Sequence, residues 1–200
     1  LLGTKPGKEA YIEPVIKGDN YQFFVRIGKS KDVVGTRAGT KLGRGANFRC
    51  LMSGSPMSQD YVRGEIRAKR SGDRLMAIVV EGNRGRAYLA PTHDIEALAR
   101  SAKPDWFPDQ EMNQETSTLV SGRGYGISHW HEVFTARQLT VLAVLCDLVE
   151  EARRKVKCDA LAIGSRQERQ ESRESAAQAY ADAVSIYLAF GIDRTANYCS

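Results

Sequence analysis

Two short runs of β-branched and aromatic residues begin the chain, at 11–17 (YIEPVIK) and 21–27 (YQFFVRI). Gly18, Asp19 and Asn20 separate them, a spacing that predicts a β-hairpin. Residues 28–47 then carry five glycines among basic side chains. That composition predicts an exposed loop containing at most one short strand.

The run 75–81 (LMAIVVE) is the clearest strand pattern, and residues 82–85 turn it back into a second strand at 86–89. Between the two hairpins, 60–69 fits either a short helix or a strand. We expect the strands to pack through apolar side chains, with Phe24, Val25, Ile78 and Val80 as candidates.

Helical periodicity dominates the second half of the chain. Thr92 is a cap for a short helix ending near residue 102, and Thr135 with Gln138 forms a capping box. Beyond it, leucines and valines recur at three and four, and the first three turns are apolar nearly all round, which predicts that they are buried. Gly164 ends this helix, and a second one begins near Ser175. Its stripe of small residues predicts close packing of a helical hairpin through Ala177, Tyr180, Ala181, Val184, Tyr187, Leu188 and Gly191.

Strands and helices are segregated along the chain, so the sequence predicts an α+β fold: a β-rich N-terminal half followed by a helical hairpin. Composition divides it into a basic β-rich module at 1–90, a short helix and connector at 91–128, and the hairpin at 129–200. The chain begins at Leu1 without a methionine, and we expect it to be a piece of a longer protein.

The longest apolar stretch, 139–149, is interrupted by Asp147 and is far shorter than the roughly 20 residues that cross a bilayer. No secretion signal is visible at the start. The four cysteines have no framework-like spacing, and we interpret them as reduced thiols of a cytoplasmic protein that does not contact membranes.

Charge is distributed unevenly. Residues 1–90 contain 17 Lys/Arg and 8 Asp/Glu, a balance of +9, whereas 91–200 contain 12 and 16, a balance of −4. A basic half is typical of a surface that faces a polyanion such as nucleic acid, and it is also typical of a solvated surface without a partner.

Several stretches resemble parts of chemical sites. Cys50 is followed three positions later by Ser53, where a zinc knuckle has its second cysteine, so this segment fits a metal site, a remnant of one or an ordinary turn. His129 and His131 have the spacing of two metal ligands, but packing is the more common role. The glycine-rich 122–126 (GRGYG) fits an anion cradle or a plain loop. Catalytic residues are not predicted.

Six strings, in this order and over nearly the whole chain, resemble the central part of the zinc-ribbon-containing adenine-specific DNA methylases. They are GKEAYIEPVI, YQFFVRIGK, CLMSGSPMSQDYVR, RLMAIVVEGNRGRAYLAPT, RGYGISHWHEVFTARQL and AYADAVSIYLAFGIDRTANY. The resemblance implies S-adenosylmethionine-dependent methylation of adenine N6 in DNA, in restriction or phage-defence settings. The family's glycine-rich cofactor loop and D-P-P-Y tetrapeptide do not occur in this sequence.

The resemblance also implies a degenerate zinc ribbon in the N-terminal half. Cys50 matches the first position of the family's knuckle and Ser53 departs from the second, so Cys50 is expected to be a vestigial ligand and zinc is not expected. S-adenosylmethionine is expected in the parent protein and no cofactor in this piece.

Three functions remain open at this point. The first is a DNA-facing accessory module of the methylase. The second is a structural insertion that supports the catalytic domain or binds a partner protein of a defence system. The third is a self-contained enzyme that uses His129, His131 or the glycine-rich loop. The predicted phosphate contacts of the first are Lys41, Arg44, Arg49, Arg63, Arg67, Lys69, Arg70 and Arg74.

Overall fold

The computed structural model describes residues 1–83, 85–113, 122–163 and 170–199. The chain forms two compact units. Unit 1 comprises Leu1–Ser101 and Glu111–Trp130, and unit 2 comprises Ala102–Gln110 and His131–Ser200. The described parts combine small antiparallel sheets with helices, which confirms the α+β class.

Unit 1 begins with the predicted hairpin. Strand β1, Ala10–Lys17, pairs antiparallel with β2, Asn20–Ile27, over the full length of both strands. Gly18 has a φ of 57°, the left-handed conformation that a two-residue hairpin turn requires. The two runs of β-branched and aromatic residues therefore predicted the hairpin, although Asn20, expected in the turn, begins the second strand.

The segment after this hairpin corrects the prediction of a loop. Helix α1 spans Val33–Ala38, and the Asp32 side chain caps it by accepting from the Gly35 amide at 2.8 Å. No side chain of α1 is buried, so this helix carries no apolar stripe by which the sequence would have indicated it.

A second, minimal hairpin follows. Strands β3, Phe48–Arg49, and β4, Pro56–Met57, pair through two residues each. Ser58 then caps helix α2, Gln59–Arg67, by accepting from the Tyr61 amide at 3.2 Å. The stretch for which sequence left helix or strand open is therefore helical.

The third hairpin joins β5, Ile78–Gly82, to β6, Gly85–Leu89. The strand predicted from residue 75 begins three residues later, because its partner strand is followed by Pro91, which has no N–H for the ladder. Helix α3, His93–Ser101, follows, and its Ile95 amide donates to the predicted cap, Thr92, at 3.3 Å.

Unit 2 is the predicted helical hairpin, formed by α4, Ala136–Ile163, and α5, Gln170–Cys199. The capping box is confirmed: the Thr135 amide donates to Gln138 Oε1 at 2.7 Å, and the Gln138 amide donates to Thr135 Oγ1 at 3.4 Å. Helix α5 begins five residues earlier than Ser175. The predicted stop at Gly164 lies outside the described residues.

Burial in the hairpin is narrower than the sequence predicts. Leu139 is buried in α4, but Val141, Val144 and Leu148 are about half exposed, because α5 covers only one face of the apolar first turns.

Of the stripe on α5, the alanines at 177 and 181 are buried, whereas Tyr180, Tyr187, Leu188 and Gly191 are exposed.

Across the described residues, no helix combines the length and the apolar character that crossing a membrane requires.

Candidate nucleic-acid interface

All eight predicted phosphate contacts belong to unit 1, and Lys41 is one of the two that are half-buried rather than exposed. Its Nζ lies 4.5 Å from the centroid of the Phe48 ring and 5.1 Å from that of Tyr125, whose hydroxyl is 3.0 Å away. Nζ also donates to the Gly45 carbonyl. Attraction between the ammonium and the two ring faces holds the 41–48 loop against the 122–126 segment. Lys41 therefore connects the 41–48 loop to the 122–126 segment within unit 1.

Arg63 makes a second connection to the same glycine-rich segment. Its Nε donates to the Gly124 carbonyl at 2.8 Å, and the backbone of Gly126 packs directly against the backbone of Arg63. With the Gln59 amide oriented to satisfy both groups, the Gln59 oxygen accepts from the same guanidinium at 2.7 and 2.6 Å. Arg63 is thus committed to holding 122–126 on helix α2.

Two further predicted contacts are ion-paired within the chain. Arg70 and Glu65 form a bidentate pair at 2.9 and 2.7 Å, and the hydrogen bonds from Arg70 lower the pKa of the Glu65 carboxyl. Arg74 pairs with Glu96 at 2.7 Å and lies over the Tyr21 ring at 4.9 Å. Their charges are largely compensated locally, which leaves them less available to a polyanion.

Three arginines among the predicted contacts are exposed and form no ion pair with a described residue. Arg44 lies in the loop that Lys41 and Phe48 close by a β-bridge, Arg49 in strand β3, and Arg67 in the last turn of α2. Within the described parts of the chain, neither a hydrogen bond nor an ion pair engages these three side chains. We call Arg44, Arg49 and Arg67 the arginine surface. Lys69 follows α2 with a φ of 56°.

Cys50 lies in the turn between β3 and β4, where the Cys50 amide donates to the Ser55 carbonyl at 2.8 Å and the Gly54 amide to the Cys50 carbonyl at 2.9 Å. Hydrogen bonds lower the pKa of the Cys50 thiol. The bond with the Ser53 side chain has the largest effect, and the bonds with the backbone of Ser53 and Met52 have smaller ones. Ser53 therefore lies in this turn at the position where a zinc knuckle has its second cysteine. A single thiolate beside a serine does not fit a structural zinc ion.

The two histidines belong to different units. His129 contacts the Ser128 hydroxyl through Nδ1 at 2.9 Å in unit 1. His131, in unit 2, has Nδ1 3.1 Å from the Pro108 carbonyl and packs on the Phe107 ring at 4.6 Å. Among the described residues, no three His, Cys, Asp or Glu side chains are grouped to hold a metal ion. Both histidines therefore have packing and hydrogen-bonding surroundings.

The aromatic partners Phe48 and Tyr125 were missed by sequence reasoning. Tyr125 lies in a short 3-10 turn, Arg123–Tyr125, 84 residues from Lys41, so no local pattern connects the two. The glycine spacing of 122–126 drew attention to the right segment. Its role in the structure is to contact α2 and the 41–48 loop closely.

Comparison of the chain with protein-family models, curated proteins and solved structures found no match.

Proposed function

We propose that unit 1 is a DNA-facing accessory module of an S-adenosylmethionine-dependent DNA adenine-N6 methyltransferase. The observation that carries this proposal is the arginine surface: three exposed guanidinium groups with no carboxylate partner among the described residues. Guanidinium groups bind phosphate oxygens through paired hydrogen bonds, and DNA presents a regular array of such oxygens.

The neighbouring contacts support this role by making the surface rigid. Lys41 and Arg63 use their charges inside the module to hold the 41–48 loop, helix α2 and the 122–126 segment together. Side chains carried on a rigid base lose less conformational entropy when they bind. These contacts therefore hold in place the loop that carries Arg44 and the helix that carries Arg67.

The methylase part of the proposal comes from the resemblance of the six sequence strings. The chain has neither the family's glycine-rich cofactor loop nor its D-P-P-Y tetrapeptide, so methyl transfer and binding of S-adenosylmethionine are assigned to other parts of the parent protein. An enzyme that modifies adenine N6 must take the base out of the duplex stack. A module that binds the backbone helps to hold the duplex during that step.

Charge reversal tests the proposal. The triple variant Arg44→Glu, Arg49→Glu, Arg67→Glu is compared with Lys17→Glu, Lys103→Glu, Arg137→Glu, which changes the net charge equally at exposed positions elsewhere. Binding to a short labelled duplex is measured by fluorescence anisotropy at low salt. We expect the first variant to bind at least about tenfold more weakly than the second. Equal affinities for the two variants would contradict the assignment of the surface.

A second candidate function is a partner-binding insertion of a phage-defence protein without direct DNA contact. The observation that favours it is the number of large apolar side chains exposed on the helical hairpin, among them Tyr187 at 78% and Phe190 at 64%. Exposed apolar surface of this kind marks protein interaction sites. A chain that retains a defence partner and has no measurable affinity for DNA would favour this function over the first.

A further inference from the structure

Unit 1 has a second concentration of positive charge, at a cavity of about 480 Å³. One wall is the N-terminal segment, with Gly3, Lys5 and Lys8, and the other is strand β6, with Arg86 and Tyr88 beside Gly85. None of these residues belongs to the arginine surface. The cavity is a separate feature from the proposed DNA contact.

The sequence K-P-G-K builds the first wall. The Lys8 amide donates to the Lys5 carbonyl at 2.9 Å, and Gly7 between them has a φ of 74°. Proline at the second position and a left-handed glycine at the third are the requirements of a type II turn, which brings its first and fourth residues together. The turn is anchored because the Leu2 and Gly3 amides donate to the Ala10 carbonyl at 2.8 and 3.0 Å. Lys5 and Lys8 are thus held side by side.

Strand β6 supplies the opposite wall. Arg86 and Tyr88 are two residues apart and therefore point to the same face of the strand. Two glycines bring the walls together. A Cβ at Gly85 would lie 3.1 Å from Lys8 Nζ, and one at Gly3 would lie 3.1 Å from the Tyr88 hydroxyl. The ammonium and the phenol therefore approach the backbone where a larger residue would exclude them.

The lining of this cavity contains three cationic side chains, those of Lys5, Lys8 and Arg86. None of the residues that line it is a carboxylate. Lys5 and Arg86 form no ion pair with the described residues, and Glu81, the cross-strand neighbour of Arg86, is not within ion-pairing distance of it. An adjoining cavity that shares Lys8 and Arg86 does include Glu9. Like charges that converge on a cavity repel one another, and a bound anion relieves that repulsion.

We infer that this cavity binds a phosphate group. The two ammonium groups and the guanidinium supply only hydrogen-bond donors, and the phenol hydroxyl can also donate. A set of donors of this kind suits a tetrahedral oxyanion. Arginine adds a planar fork that binds two phosphate oxygens at once. The same chemistry is offered by a backbone phosphate of nucleic acid and by a free phosphorylated small molecule.

An NMR titration of the ¹⁵N-labelled chain with inorganic phosphate, at constant ionic strength, tests the inference. Saturable shifts should concentrate on the amides of the K-P-G-K turn and of β6. Arg86→Gln, which removes the charge and keeps a hydrogen-bonding side chain, should weaken phosphate binding by about tenfold or more. Lys17→Gln, on the hairpin away from the cavity, is the matched control and should leave it unchanged.

Duplex binding by the same variants distinguishes the two sources of phosphate. If Arg86→Gln weakens both phosphate and duplex binding, the cavity takes a backbone phosphate. If it weakens phosphate binding alone, the ligand is a phosphorylated small molecule. Shifts that are absent, that spread evenly over exposed amides or that are the same in Arg86→Gln and in the unmodified chain would overturn the inference. The phosphate titration needs no DNA, so its result does not depend on the arginine surface.

Discussion

Gly126 has a φ of 101°, and a Cβ built on it would lie 2.8 Å from the carbonyl oxygen of Arg63. Both the backbone conformation and the space therefore require glycine at this position. Because Gly126 follows the residues that contact Lys41 and Arg63, its close approach to α2 determines how the 122–126 segment packs.

We predict that Gly126→Ala lowers the free energy of unfolding by about 1–3 kcal/mol, since alanine must adopt a strained conformation against a backbone atom. Gly72→Ala is the control, because a Cβ there meets nothing within 4 Å. Urea denaturation followed by circular dichroism measures both. A Gly126→Ala variant as stable as the control would mean that this contact does not form.

At the residue scale, the sequence identified basic side chains but not the groups inside the chain that these side chains contact. It selected Lys41 and Arg63 as phosphate contacts because they are basic and lie in a basic half. Their actual partners, Tyr125 and the Gly124 carbonyl, lie 84 and 61 residues away. Periodicity reports only local structure, so contacts over such separations become visible only once the chain is folded.

At the scale of elements, two helical glycines have opposite expected effects. Gly64 lies inside α2 with nothing within 4 Å of a built Cβ, whereas a Cβ at Gly35 in α1 would meet the capping carboxylate of Asp32, whose Cγ would be 2.9 Å away. The same substitution therefore meets open space in one helix and the N-cap in the other.

Gly64→Ala should raise the free energy of unfolding by roughly 0.5–1 kcal/mol, because alanine loses less backbone entropy in a helix. Gly35→Ala should lower it by about 1 kcal/mol, since it displaces the cap. Thermal unfolding of the two variants beside the unmodified chain measures the difference. A Gly35→Ala variant that is as stable as the unmodified chain, or more stable, would show that the cap of α1 is not formed.

The helical hairpin contains a pH-sensitive pair. Arg153 Nε donates to Asp182 Oδ1 at 2.6 Å between α4 and α5, and Gln178 donates to the same oxygen at 2.8 Å. The hydrogen bond from Arg153 lowers the pKa of the Asp182 carboxyl below its ordinary value, and the bond from Gln178 lowers it further. Since the folded pKa is the lower one, this pair stabilises the hairpin above the ordinary aspartate range.

We therefore expect the contribution of this pair to stability to be complete at neutral pH. It should be lost as the pH falls below about 4, the ordinary pKa of aspartate, and through the lower pKa of Asp182 in the folded chain. Asp182→Asn should be less stable at neutral pH and should show a shallower loss of stability in acid. Asp159→Asn, at an exposed pair within α4, is the control. Helicity followed against pH and urea measures all three. An Asp182→Asn curve parallel to that of the unmodified chain would contradict the assignment.

The elements that sequence predicted are those with a local signal: alternation in the hairpins and the capping box of α4. Helix α1 was missed because its six residues bury no side chain and include a glycine. The burial expected for the first turns of α4 was too wide because an apolar pattern shows which faces suit a partner. It does not show that a partner covers them, as the half-exposed Val144 illustrates.

For the whole molecule, the separation of charge along the sequence corresponds to its organisation. The basic residues of 1–90 lie in unit 1, where some are compensated by Glu65 or Glu96 and the arginine surface is not. The charge balance fitted a polyanion partner as well as a solvated surface, and it did not identify which cations are exposed and unpaired. We propose that the exposed arginines Arg44, Arg49 and Arg67 bind the phosphates of DNA.

The most direct test is the affinity of the whole chain for a short labelled duplex across a salt series. If each of the three arginines contacts one phosphate, the logarithm of the affinity should fall with the logarithm of salt concentration with a slope of about −3. The Arg44→Glu, Arg49→Glu, Arg67→Glu variant should show a nearly flat dependence. A chain that does not bind the duplex even at low salt, or that binds it independently of salt, would contradict the claim.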